Sequence, residues 1–106
     1  MPQVLNEVVS LSSRTLGSGA ARLEVSEMGF GVMGMTYHRG VVGDTAQMIR
    51  LLHEARSFGC TYFDTAEIYG PYTNEALLGE AFGSRSDVLI ATKFGHKIVN
   101  GQACYG

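Results

Sequence analysis

The chain has 106 residues, 45% of them hydrophobic and 17% charged, with a formal net charge of −2. That balance suits one small globular domain or a piece of a larger one, and it holds no basic excess to neutralise phosphates, so a nucleic-acid partner is disfavoured. No apolar run approaches the roughly 20 residues of a membrane helix, and Met1 to Ser10 lack the positive charge and apolar core of a signal peptide.

Residues 1–13 are mixed and polar, without a period, and read as a loose leader. From Arg14 to Ser26 two strand-like pieces flank the turn-prone Gly17-Ser18-Gly19, which predicts a β-hairpin. Met28-Gly29-Phe30-Gly31-Val32 is a short apolar run and reads as a buried strand. Asp44 then caps a helix, with Gln47 three residues on as in a capping box. Met48, Leu51, Leu52, Ala55 and Phe58 follow the i, i+3, i+4 rhythm of one buried face, and Gly59 sits where a helix end favours a left-handed residue. His53, beside Glu54, falls on the polar side.

Cys60 to Thr65 is the second strand. A loop follows, then a second helix with Thr73 as its expected N-cap and Glu75 in its first turn, where a carboxylate favours the helix dipole. Leu77, Leu78, Ala81 and Phe82 make its apolar side and Gly83 ends it. Val88 to Thr92 is the third strand, and the stretch after Lys93 reads as a Gly-rich polar loop. Strand starts recur about every 30 residues, the length of a βα unit with parallel strands. Barrel and doubly wound sheet both fit that rhythm. Cys60 and Cys104 give neither a disulfide framework nor metal-ligand spacing, so Cys60 reads as a small core residue, the compartment as the cytosol, and no metal is expected.

Three residues carry chemistry: Asp64, Tyr69 and Lys93. Asp64 and Lys93 stand at equivalent ends of neighbouring parallel strands, where a carboxylate and an ammonium meet across the sheet and offset each other's burial. The C-terminal end of a parallel sheet is also where active sites gather. Tyr69, five residues after Asp64, lies in the βα loop over that pair. An ammonium beside a phenol favours the phenolate and so makes the phenol a better proton donor near neutral pH. Reduction of a carbonyl needs such a donor, because hydride arriving at carbon leaves an alkoxide.

The text Asp64-Thr65-Ala66-Glu67-Ile68-Tyr69-Gly70, followed by Asn74-Glu75 and Ala91-Thr92-Lys93-Phe94-Gly95, resembles the aldo-keto reductase family. Gly29 to Met35 and the preceding hairpin resemble its opening, and Thr36-Tyr37-His38-Arg39-Gly40 looks like members acting on varied small aldehydes and ketones. The resemblance implies an α/β fold: an incomplete (β/α)8 TIM barrel, of which residues 14–106 supply the N-terminal β-hairpin and the first three βα strands. It further implies NADP(H) across the top of the barrel and reduction of small aldehydes or ketones to alcohols. By position Tyr69 is then the general acid, Lys93 its activating cation and Asp64 the partner of Lys93. Gly31, Val32, Met33 and Asp64 match the segments at the nicotinamide end.

The family's fourth catalytic residue, a histidine at the end of the next strand, falls beyond Gly106, and His96 is too close to Lys93 to take that part. A complete barrel needs about 250 residues. The 106-residue chain is therefore expected to be inactive alone, an N-terminal part with the cofactor clamp missing. The alternative is a non-catalytic binding or regulatory protein, or a remnant, on the same scaffold.

Other residues have plainer readings. Gly29-x-Gly31-x-x-Gly34 satisfies the dinucleotide fingerprint literally, but that turn opens a helix at its last glycine and the helix cap here comes only at Asp44. Tyr62 and Phe63 read as packing residues. Tyr72 reads as a surface aromatic or a pocket wall, His38 and Arg39 as a solvated loop or substrate contacts, and Met33 and Met35 as core filler or pocket wall.

Overall fold

The computed structural model describes residues 11–35 and 44–104. Strands β1 (Ser13–Leu16) and β2 (Leu23–Ser26) pair antiparallel, Ser13 opposite Ser26 and Leu16 opposite Leu23, as the hairpin pattern predicts. The turn is longer than Gly17-Ser18-Gly19 alone, because Gly19–Ala21 adds a single 3-10 turn. Ordered structure also begins earlier than Arg14. Leu11 packs against the core, the Ser12 carbonyl accepts the Glu27 N–H at 2.7 Å, and Ser13 already pairs. The rest of the expected leader, residues 1–10, lies outside the described residues.

Three parallel strands form the centre in the order β3 (Phe30–Gly31), β4 (Tyr62–Asp64) and β5 (Leu89–Ala91). Gly31 stands opposite Asp64, and Asp64 opposite Ala91. These strands are shorter than the apolar runs, but their bonding continues past them toward the C-terminal end. Val32 N–H donates to Asp64 O at 3.1 Å, Thr65 N–H to Ala91 O at 2.8 Å, and Glu67 N–H to Lys93 O at 3.0 Å. The opposite end receives the hairpin: Ser26 N–H donates to Thr61 Oγ1 at 2.9 Å and Thr61 N–H to Ser26 Oγ at 3.0 Å.

Helix α1 (Thr45–Ser57) starts at Asp44, whose carboxylate accepts the Ala46 N–H at 3.3 Å. Leu52 is fully buried, and Met48 and Ala55 pack half-buried on the core. Leu51 and Phe58 differ from the sequence expectation, being 45% and 50% exposed. Among the described residues α1 meets the core along a surface narrower than its apolar stripe, so the flanks of that stripe stay in solvent. His53 is exposed as expected, yet its Nε2 lies 2.6 Å from the Ala81 carbonyl and its ring sits against Phe82, tying α1 to the next helix.

Helix α2 (Thr73–Phe82) buries Leu77, Leu78, Ala81 and Phe82, the side expected from the sequence. Its cap corrects that reading. Thr73 is the first helical residue, and Tyr72 holds the cap position in a left-handed conformation, φ 67°, with no side-chain cap bond. The cause lies at Gly70, φ 111°, where a Cβ would come within 1.7 Å of Thr73 Oγ1. Only glycine lets the chain fold back this closely. The core gathers Val32, Met35, Cys60 and Phe63 from the strands and their ends, Leu52 from α1 and the apolar residues of α2, with the Phe63 and Phe82 rings meeting at 4.7 Å. Cys60 is buried there as a small core residue.

The stretch after Lys93, expected as loop, contains a second hairpin: β6 (Lys97–Val99) pairs antiparallel with β7 (Gln102–Cys104). Asn100 and Gly101, at φ 51° and 74°, form the two-residue turn. Among the described residues Gly34 lies inside a 3-10 turn over Met33–Met35 that follows β3, and α1 starts at Thr45, which disfavours the dinucleotide-fingerprint reading. Thr36 to Gly43, with His38 and Arg39, lie outside the described residues.

Candidate active site

Asp64 ends β4, and Lys93 stands two residues beyond β5 in a segment still bonded to the β4 side through Glu67 N–H and Lys93 O. That register brings the two charges together. Lys93 Nζ donates to Asp64 Oδ1 and, at 2.7 Å, to the backbone carbonyl of Thr65. The Tyr69 ring lies under the ammonium, with Nζ 5.3 Å from its centroid. The sequence-predicted trio is therefore one cluster at the C-terminal end of the parallel strands. The Asp64 hydrogen bond, above all, holds the Lys93 ammonium above the ordinary lysine pKa; partial desolvation opposes it, and the charges of Asp64 and Tyr69 add to it. The Lys93 and Asp64 side chains are 53% and 39% exposed, so the pair is open to solvent and reagents.

Tyr69 is half-buried and its backbone is fixed on both sides, the N–H donating to Ala66 O and the carbonyl accepting Asn74 N–H, each at 3.1 Å. Tyr72 is exposed on the same loop, its N–H donating to Glu67 O at 2.9 Å.

The residues expected at the nicotinamide end separate. Gly31 is exposed, and among the described residues a Cβ there would meet nothing within 4 Å, so the strand end offers an open shelf beside Asp64. Met33 is exposed at the same end. Val32 has no exposed surface: its side chain fills the core, its N–H donates to Asp64 O and its carbonyl is taken by Asn74 and Met35. Its side chain belongs to the core, so at this strand end Val32 offers backbone rather than side chain. The chain alternates there, so the residue between two open positions points inward. Met35 is core and Met33 is surface.

Sequence reasoning missed two participants. Thr65 supplies the carbonyl that shares Lys93, and Asn74 is a fully buried polar side chain. Both sit inside the quoted motif, but backbone acceptance and polar burial have no sequence period to betray them. His96 is exposed. Among the described residues no group of three or more His, Cys, Asp or Glu is placed to hold a metal ion, and no helix is long and apolar enough to cross a membrane.

The aldo/keto reductase family model matches residues 27–105. The chain belongs to the aldo/keto reductase family. Members are generally NAD(P)-dependent oxidoreductases. The chain is similar to the aldo-keto reductase AKR11C1 of Bacillus halodurans, solved in its holo form, at 35% identity and TM-score 0.71 over 87% of this chain and 28% of that one. A Pseudomonas aeruginosa protein assigned to the aldo-keto reductases matches at 30% identity and TM-score 0.70, over 92% of this chain and 37% of that one. A further Pseudomonas aeruginosa structure of the same assignment matches at 27% and 0.73, over 100% and 39%. The chain thus spans well under half the length of these relatives.

Proposed function

We propose that this chain carries the proton-donating part of an NADP(H)-dependent reductase that turns small aldehydes or ketones into alcohols. In this reading residues 14–106 are the N-terminal part of a (β/α)8 barrel, with the β1–β2 hairpin closing the end away from the site. The observation that carries it is the clamped ammonium: Lys93 is held by the Asp64 carboxylate and the Thr65 carbonyl and faces the Tyr69 ring.

The residues fit a nicotinamide at the open shelf formed by Gly31 and Met33 beside Asp64, since no described residue comes within 4 Å of a Cβ built on Gly31. When bound, the cofactor supplies the hydride. The chain's own part is positioning and proton transfer. Tyr69 Oη gives its proton to the carbonyl oxygen as that oxygen becomes an alkoxide. Lys93 compensates the charge left on the phenol oxygen, and Asp64 keeps Lys93 charged and in place. The half-exposed ammonium leaves the cluster open to a small carbonyl compound.

Tyr69→Phe tests the assignment, because it removes the proton and keeps the ring. The assay is NADPH oxidation by the chain completed with the remaining strands of a relative such as the Bacillus halodurans enzyme. Turnover is expected to fall by about 10²–10⁴-fold, the usual worth of a general acid, while NADPH still binds. Unchanged turnover would remove Tyr69 from the mechanism and favour a binding protein on the same scaffold.

A further inference from the structure

The buried polar residues among those described are Ser26, Thr65 and Asn74. Ser26 belongs to the hairpin end. Thr65 and Asn74 are both fully buried beneath the site, and they are bonded to each other: Thr65 Oγ1 donates to Asn74 Oδ1 at 2.5 Å. Burying two polar side chains is costly unless they are paired, and an apolar pair of similar shape would fill the same space at no such cost. What hydrogen bonds add is orientation, because they fix distances that apolar contact leaves free.

The groups they fix all lead to the cluster. Asn74 Nδ2 donates to Val32 O at 2.7 Å, holding the segment between Gly31 and Met33. The Asn74 backbone N–H holds Tyr69 O at 3.1 Å. Its partner Thr65 presents the carbonyl that binds Lys93 Nζ. The next residue, Glu75, accepts from Thr92 Oγ1 at 2.5 Å, one position before Lys93. The first turn of α2 therefore ties down the ends of all three parallel strands. No buried side-chain nitrogen or oxygen among the described residues is left without a partner, so the network is complete.

We propose that Asn74, acting through Thr65, is a positioning residue: it sets the Thr65 carbonyl that aims the Lys93 ammonium at Tyr69, and fixes the Val32 segment on the cofactor side. The role assigned to the ammonium rests on the reading of Tyr69 as the acid, but the geometry is testable without turnover. Asn74 touches neither substrate nor reacting atoms.

The test uses the 106-residue chain with 15N labelling and reads two signals by NMR, hydrogen exchange of the Lys93 ammonium and amide protection in α1. Thr65→Val keeps the volume and deletes the hydroxyl, Thr65→Ser keeps the hydroxyl, and Asn74→Ala deletes the bonds to both Thr65 and Val32. Thr65→Val is expected to speed Lys93 ammonium exchange about tenfold, the size of one hydrogen bond, with α1 protection retained. Thr65→Ser should restore the slow exchange. Asn74→Ala should shift the Gly31 and Met33 amide signals and speed Lys93 exchange as Thr65→Val does.

Lys93 exchange unaltered in Thr65→Val overturns the proposal. So does loss of α1 protection in parallel with Lys93 in every variant, which would make the pair a core strut only. Failure of the catalytic reading looks different: Tyr69→Phe retains turnover, whatever these signals do.

Discussion

At the residue scale the pair Lys93–Asp64 has a pH dependence whose sign follows from its cause. The Asp64 hydrogen bond raises the Lys93 pKa above 10.5. A cation with a raised folded-state pKa contributes stability in full below its unfolded value and loses it as pH climbs through the folded one. Both side chains are more than a third exposed, so solvent screening holds the contribution to about 0–1 kcal/mol. Comparing melting of wild type and Lys93→Met should therefore show a small gap that is flat from neutral to about pH 9 and closes above 10.5. A gap that widens with alkalinity would contradict the pairing. This juxtaposition was legible in the sequence, because strand alternation and equal strand ends require it. The burial of Val32 was legible too, since it closes an apolar run read as a buried strand. Asn74 was not: an asparagine at the start of a helix normally reads as polar surface, and only the closeness of β3 and β4 buries it.

At the element scale the β6–β7 hairpin is held by one turn. Asn100 and Gly101 both take positive φ, which two-residue hairpins need to match strand twist. Asn tolerates that region, and Gly101 at φ 74° costs nothing there, whereas a β-branched residue is strongly disfavoured. Gly101→Val is expected to destabilise the hairpin by about 1–3 kcal/mol. An isolated hairpin has little stability to lose, so pairing should vanish. Amide exchange across Lys97–Val99 and Gln102–Cys104 would rise to unprotected rates while α1 and α2 remain protected. Persistence of the Lys97–Cys104 register would show that something other than the turn holds it. The Asn-Gly signal was present in the sequence, hidden by the polar text around it. The two helices and three strands were legible because their apolar positions repeat at 3.6 or run unbroken. The cap of α2 was misread because Gly70 and Tyr72, both at positive φ, carry the chain into the helix one residue before the threonine that resembled a cap.

At the scale of the whole molecule, the three-stranded parallel sheet has β3 and β5 at its edges, and among the described residues neither pairs outward. Parallel sheets are normally covered on both faces and extended or closed at their edges. Here Ile90 on β5 is exposed, Leu51 and Phe58 stand out from α1, and Phe94 beside Lys93 is 92% exposed. The Cα radius of gyration of 16.0 Å exceeds the roughly 13 Å of a compact chain of about 100 residues. Relatives about two and a half to three times as long have further strands and helices to place against such surfaces, as the matched shares of the two chains imply. Unpaired edges and apolar flanks drive association when nothing covers them. The isolated 106-residue chain should therefore self-associate with rising concentration, seen in sedimentation velocity as a weight-average mass climbing above the 11.4 kDa of one chain. Glu in place of Ile90, or Lys in place of Phe58, should lower that tendency without altering the buried core, because each puts a charge on a flank that already faces water. A constant monomer mass up to about millimolar concentration, where weak contacts of roughly 4 kcal/mol become populated, would mean that these surfaces do not attract one another. The open edge of β5 would then be stable in water by itself.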